Sequence, residues 1–188
     1  MRHIPNILTI ARFVLVPCFI AASFAAMYAT AFAIFVTAAV TDVLDGMLAR
    51  RWNVRSRIGA FLDPAADKTL MVSGFLYYTL SPDLPVIGIP AWLTFTVFIR
   101  DVLITFFVYL MWTRIQLTRF PPSIAGKLST VLQAVTLAAA IGGNAFSPVL
   151  AQLASVLFRV SLVVTLYSGW DYMRRAARVV AEAPSRQA

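Results

Sequence analysis

The chain of 188 residues holds one cysteine, Cys18, and one histidine, His3. No disulfide framework can form within it, and no site built from several thiolates or imidazoles. Charge is scarce as well: 13% of the residues are Asp, Glu, Lys or Arg, where a soluble domain carries roughly 25%. Only eight are acidic against 16 basic, a net charge of +8. No internal repeat, low-complexity tract or long linker is visible. Apolar residues fill the rest, at 60%. A globule of this length cannot hide so much apolar surface, and a disordered chain needs the opposite composition. The expectation is a small all-α integral membrane protein.

A helical span takes about 20 mostly apolar residues. Phe13 to Thr41 is 29 residues without a charge. That is too long for one span and becomes two if the first helix starts near Ile7 and the second continues to about Arg50, reversing near Met27 to Thr30. A third runs from Ala65 to Leu80, closed by Ser81-Pro82-Asp83-Leu84-Pro85. A fourth covers about Pro90 to Trp112. Leu128 to Phe158 is another 31 uncharged residues. Gly142-Gly143-Asn144 and Pro148 divide it into a fifth span and the start of a sixth, which ends near Trp170. The sequence therefore predicts six transmembrane helices in one domain, residues 1–173, followed by a basic cytoplasmic tail, 174–188.

The basic residues test that count. Arg2 and Arg12 lie at the first end. Arg50, Arg51, Arg55, Arg57 and Lys68 surround the second-to-third connection, and Arg114, Arg119 and Lys127 the fourth-to-fifth. Arg174, Arg175, Arg178 and Arg186 form the tail. The other three connections hold no Lys or Arg, which puts both termini in the cytoplasm. Topology and attraction to anionic headgroups account for the positive charge. Nucleic acid is not an expected partner, since no basic soluble domain exists to bind it. Ser23-Phe24-Ala25 after an apolar run could be read as a signal-peptide cleavage site, but the topology needs that first helix.

Four of the eight acids crowd into 26 positions: Asp42, Asp45, Asp63 and Asp67. Carboxylates at a membrane helix end are expensive and mark function by default. Asp42 and Asp45, three apart, share a helix face, and Gly46 and Ala49 fall on it, where small residues admit a ligand. Arg50 flanks the stripe and can fork onto a phosphate. Asp63 before Pro64 suits an N-cap with proline at the first helical position, and Asp67 follows one turn on. The plainer alternative, a cap and a snorkelling surface acid, explains one or two of the four. Carboxylates gathered at neutral pH need protons or cations. All-oxygen ligands favour hard divalent ions such as Mg²⁺ or Mn²⁺, and a pair of these can clamp a phosphoryl group. The residues alone point to metal-dependent transfer at a phosphate.

Asp42-Val43-Leu44-Asp45-Gly46-Met47-Leu48-Ala49-Arg50, then eight residues, Gly59, three residues, Asp63, three residues and Asp67 resembles the signature D-x-x-D-G-x-x-A-R-x(8)-G-x(3)-D-x(3)-D of the CDP-alcohol phosphatidyltransferase family at all eight specified positions. The resemblance implies a six-helix homodimeric membrane enzyme that transfers a phosphatidyl group from CDP-diacylglycerol to an alcohol and releases CMP. It implies that Asp42, Asp45, Asp63 and Asp67 hold two divalent cations, Mg²⁺ or Mn²⁺. It makes Asp67 also the general base on the acceptor hydroxyl. Gly46, Ala49, Arg50 and Gly59 would form the binding site for cytidine and diphosphate.

The acceptor is read from other segments. Ile4-Pro5-Asn6-Ile7-Leu8-Thr9-Ile10-Ala11-Arg12 resembles the P-N-x-L-T-x-x-R start of phosphatidylglycerophosphate synthases and related cardiolipin synthases. Asn6, Thr9 and Arg12 would line the nucleotide pocket, or alternatively cap a helix. Gly126-Lys127-Leu128-Ser129-Thr130 with Gln133 resembles a G-K-x-x-T-x-x-Q segment of both enzymes. Lys127 would meet an anionic acceptor, or simply anchor a helix end. Arg100, Asp101 and Arg159 lie inside spans and must pair or face a cavity. Arg100 is placed in the acceptor site, with an ion pair between helices as the structural alternative. Arg100-Asp101-Val102 looks more like the cardiolipin synthases, whereas Arg50-Arg51-Trp52-Asn53 and Gly59-Ala60-Phe61-Leu62-Asp63-Pro64 look like the glycerophosphate enzymes.

The resulting expectation is phosphatidylglycerophosphate synthesis from glycerol-3-phosphate in a bacterial cytoplasmic membrane, with the site on the cytoplasmic side. The alternatives are cardiolipin synthesis with phosphatidylglycerol as acceptor and, in another class, a cation transporter. A transporter would spread its acids through the membrane depth, whereas these four gather at one edge.

Overall fold

The computed structural model describes the backbone of residues 4–52, 57–115 and 123–182, and side chains over 14–41, 68–111, 113 and 123–178. The described residues form six helices and no strand: α1 Ile4–Phe24, α2 Tyr28–Trp52, α3 Arg57–Leu80, α4 Ala91–Ile115, α5 Ile124–Ala145 and α6 Pro148–Glu182. Of these, Ala91–Met111, Ile124–Ala145 and Pro148–Arg178 are long and apolar enough to cross a membrane, and the described apolar parts of α1 and α2, Val14–Phe24 and Tyr28–Thr41, are shorter. Large apolar side chains stand exposed along α4, with Phe95 and Val102 each about two-thirds accessible. Such a surface suits a lipid solvent, where apolar groups need no burial.

Two compact units divide the chain. The first joins Met1–Ile89 to Leu137–Ala154, and the second joins Pro90–Thr136 to Ser155–Ala188. In the first, α1 packs against both α2 and α3. Phe19, Phe35, Phe75 and Tyr78 fill its interior. The reversal from α1 to α2 is tight. Met27 N–H donates to the Ala22 carbonyl, and Ala26 takes a positive φ of 54°, the αL residue that ends many helices. The turn thus falls at Ala25–Met27, just ahead of the expected position.

The far ends of α5 and α6 meet in the same unit. Gly142-Gly143-Asn144 does not break the fifth helix, as the sequence predicts, but lies inside it. Gly143 lies flat against the backbone of α6, so close that an added Cβ would stand 2.9 Å from Ala151 Cα. Asn144 turns inward. Its Oδ1 accepts from the Val86 and Ile87 amides, and its Nδ2 donates to the Ile87 and Ala140 carbonyls. The motif is a close-packing surface and a clamp on the α3–α4 connection rather than a turn. The turn itself comes at Phe146-Ser147. Ser147 caps α6, accepting from Val149 and Leu150, and Pro148 occupies the first helical position.

Two further boundaries differ. Helix α3 begins at Arg57, six residues before Asp63, so Asp63 lies within the helix and is not its N-cap. The helix-compatible run Arg57 to Leu62 carries the helix through Pro64, as membrane helices permit. Helix α6 continues past Trp170 to Glu182. This extension is rich in Ala and Arg, good helix formers. Arg175 pairs with Asp171 one turn earlier at 3.0 Å, and Arg174 stacks over Trp170 at 4.6 Å.

Candidate active site

Helix periodicity arranges the acidic segment on two consecutive elements. Asp42, Asp45, Gly46, Ala49 and Arg50 lie in the last turns of α2, and Gly59, Asp63 and Asp67 in the first half of α3. On α3, Gly59, Asp63 and Asp67 recur every four residues and therefore share a face. Asn6, Thr9 and Arg12 recur every three along the start of α1, the helix that packs against both others. All of these side chains fall outside the described ones. Among the described residues, no cluster of three or more His, Cys, Asp or Glu exists. The donor chemistry of the 42–67 segment nonetheless fits a hard divalent cation: four carboxylates, with no His or Cys between them.

The second unit is described in atomic detail around Arg100. Its side chain is 12% exposed. Nη1 donates to Asp101 Oδ1 at 2.8 Å, and Nη2 donates to Ser168 Oγ at 2.7 Å. The expected partner for the intramembrane arginine is therefore its own neighbour on α4, and a serine of α6 completes the link between helices. Nε is buried without a hydrogen-bond partner, an expensive state for a cation's N–H unless something meets it. Two glycines make room for this side chain. A Cβ on Gly126 would lie 3.3 Å from Nη2, and one on Gly169 3.7 Å from Cγ. Arg100 also lines a cavity of about 270 Å³ whose other walls include Leu103, Phe107 and Trp170.

Gly126 stands in the first turn of α5, which Ser123 caps. The buried Ser123 Oγ accepts from the Gly126 amide at 2.9 Å, and its carbonyl accepts from the Lys127 amide at 3.1 Å. This fixes the backbone at Lys127, whose side chain is exposed. The cap draws Gly126 against the arginine. Further along the helix, Gln133 Nε2 donates to Ser129 Oγ and to Thr165 Oγ1, both at 3.1 Å, and Thr136 bonds Ser161 at 2.6 Å. Gln133 is thus part of the hydrogen bonding that joins α5 to α6. Sequence reasoning did not single out Ser123, Ser161, Thr165 or Ser168. The available signal was hydroxyls at helical spacing, Ser161, Thr165 and Ser168, on one stripe of an apolar helix. Arg159, expected to pair or to face a cavity, is exposed on α6 with no ion pair among the described residues.

Known proteins give these features a context. A model of the CDP-alcohol phosphatidyltransferase family matches residues 2–167. A Mycobacterium tuberculosis protein named probable phosphatidylglycerophosphate synthase is 36% identical over 184 residues, covering 95% of this chain and 83% of that protein. An Escherichia coli protein named CDP-diacylglycerol--glycerol-3-phosphate 3-phosphatidyltransferase is 35% identical over 177 residues, covering 93% of this chain and 94% of that one. The family match takes in α1 to α5 and the first part of α6, with the acidic segment, Arg100 and Lys127. With the eight-position acidic signature, an all-helical fold and apolar helices of membrane length, the chain belongs to the CDP-alcohol phosphatidyltransferase family.

Proposed function

We propose that the protein transfers the phosphatidyl group of CDP-diacylglycerol to glycerol-3-phosphate, giving phosphatidylglycerophosphate and CMP. The observation that carries this reading is similarity along nearly the whole chain to two proteins named for that reaction. Arg100 supports it with a buried, unmatched Nε–H beside the first turn of α5, where Lys127 adds a second cation. Together they would bind the phosphate of the acceptor, and Asn6, Thr9 and Arg12 the nucleotide side. Cardiolipin synthesis with phosphatidylglycerol remains the alternative acceptor chemistry, since its acceptor also offers a phosphate.

The family uses divalent metal ions. In this chain Asp42, Asp45, Asp63 and Asp67 would hold two, Mg²⁺ or Mn²⁺. When bound, such ions neutralise the diphosphate and stabilise charge on the attacking and leaving oxygens. Asp67 takes the proton from the acceptor hydroxyl as its oxygen bonds to the phosphatidyl phosphorus, and the bond from that phosphorus to CMP breaks. Gly46, Ala49 and Gly59 leave room for the nucleotide, and Arg50 binds phosphate. No covalent nucleophile is needed. Residues 1–173 would form the catalytic domain of a homodimer, and 174–188 a basic cytoplasmic tail at the inner membrane of a bacterium.

Purified protein tests this directly. CMP release from CDP-diacylglycerol is expected with glycerol-3-phosphate, to depend on a divalent cation, and to be lost in Asp67→Asn. Equal release with phosphatidylglycerol in place of glycerol-3-phosphate would overturn the acceptor. Full turnover by Asp67→Asn would overturn the base.

A further inference from the structure

A second cavity, of about 520 Å³, lies in the first unit where α1 ends, α2 begins and α3 ends. Phe24, Tyr28 and Tyr77 give it aromatic walls, and Ser73, Ser81 and Asp83 give it oxygens. Along α3, the lining runs from Ser73 to Leu80, about 9 to 20 Å of helix beyond Asp67, so none of the four aspartates lines the cavity. Its rings are set in place. Tyr77 OH donates to the Ser23 carbonyl, and Phe24 meets Tyr77 edge-on with centroids 5.0 Å apart.

Three features select the occupant. The connections 25–27, 81–90 and 146–147 carry one charged residue among them, Asp83, so the charge at this pocket is negative. Aromatic faces attract an organic cation, whereas a lone carboxylate with ring walls is a poor cage for a metal ion, which wants six or more oxygens. The rim is apolar: Phe24, Leu76 and Leu80 are exposed, which suits contact with lipid chains. Ala26 also lines the pocket while holding its positive φ, a conformation that costs about 1–2 kcal/mol for an L-residue and that collects at binding sites.

We propose that this cavity binds the ammonium headgroup of a zwitterionic phospholipid, at the end of the unit remote from the acidic signature. Asp83 pairs with the ammonium, Phe24, Tyr28 and Tyr77 enclose it, and Leu76 and Leu80 carry the first part of the acyl chains. The site is separate from the transfer reaction and does not depend on its acceptor.

Native mass spectrometry of the full chain in detergent tests it, with phosphatidylethanolamine, phosphatidylglycerol of the same acyl chains, and free ethanolamine as probes. The expected result is one phosphatidylethanolamine per chain, bound about tenfold more tightly than phosphatidylglycerol, the factor that about 1.4 kcal/mol represents. Asp83→Asn should abolish the preference and Phe24→Ala should reduce it, while CMP release by Asp83→Asn stays at the level of the unmodified protein. Equal binding of the two lipids, or a preference that survives Asp83→Asn, would overturn the proposal. Binding of ethanolamine as tight as that of the lipid would overturn the lipid assignment. The lipid-binding outcomes leave CMP release by the unmodified protein untouched, so the two readings fail separately.

Discussion

Two glycines of the membrane-length helices should respond in opposite directions to the same added methyl group. At Gly143 a Cβ would meet backbone: Ala151 Cα at 2.9 Å and Ala151 N at 3.0 Å, with Ala151 Cβ also at 3.0 Å. Ordinary carbon contacts lie at about 3.5–4.0 Å, so α5 and α6 must separate by about 0.6 to 1 Å at this point. Overpacking of a well-filled interface costs about 1–3 kcal/mol. Backbone does not swing aside as a side chain does, so the upper half of that range applies. The helix propensity gained by replacing glycine with alanine returns at most about 1 kcal/mol. Gly143→Ala should therefore lose about 1–2 kcal/mol. At Gly169 the nearest atom to a new Cβ is Arg100 Cγ at 3.7 Å, an ordinary contact. Gly169→Ala should be neutral or up to about 1 kcal/mol more stable, by the same propensity term. Unfolding in mixed micelles of increasing SDS fraction, followed by circular dichroism, measures both. Ala151→Gly placed in the Gly143→Ala background should recover only part of the loss, because the Cα and N contacts remain. Equal midpoints for Gly143→Ala and Gly169→Ala would refute the inference that α5 and α6 touch through backbone here.

Other substitutions probe different features. Arg100→Lys replaces a fork with a point charge and should raise KM for glycerol-3-phosphate about tenfold or more, given about 1.5–3 kcal/mol for a hydrogen bond to a charged group. KM for CDP-diacylglycerol should stay unchanged, and equal shifts in both would refute the acceptor role. Ala26→Gly relieves the left-handed conformation at the α1–α2 reversal but adds chain entropy to the unfolded state. The balance is about 0.5–1 kcal/mol of added stability, visible as a higher midpoint in the same SDS titration. Asn144→Ala removes all four hydrogen bonds made by that side chain. It should cost about 2 kcal/mol or more and make the 81–90 connection easier to cleave by limited proteolysis in liposomes.

Why the sequence disclosed some of this and not the rest follows from the length scale of each signal. Six helices are legible because a span is a long compositional event, and alternation of basic connections with ones that hold no Lys or Arg checks its parity. The acidic segment is legible because charge in an apolar chain has to be explained and its spacing repeats helical geometry. Helix ends are less legible. Gly142-Gly143-Asn144 carries the residues of a turn, yet glycine beside a close helix and asparagine beside free amides are equally well used inside a membrane bundle. Only the positions of Ala151, Val86 and Ile87, distant in sequence or on the next element, decide between the two. Asp63-Pro64 has the same ambiguity: a cap and first-turn proline, or a proline carried within a longer helix, depending on whether residues 57–62 are already helical. The partners of Arg100 show the limit most clearly. A buried guanidinium announces that it needs acceptors, and Asp101 is adjacent in the chain, but Ser168 lies 68 residues away on a helix whose hydroxyls look unremarkable one at a time. What the chain encodes locally is the demand, in the form of an arginine inside an apolar helix and two glycines, Gly126 and Gly169, that leave space for it. The supply is encoded by the register of α6 against α4 and α5, set by where apolar faces pack. Polar partners in a bundle of this kind are therefore read from the fold, whereas the charges that require them can be read from the sequence.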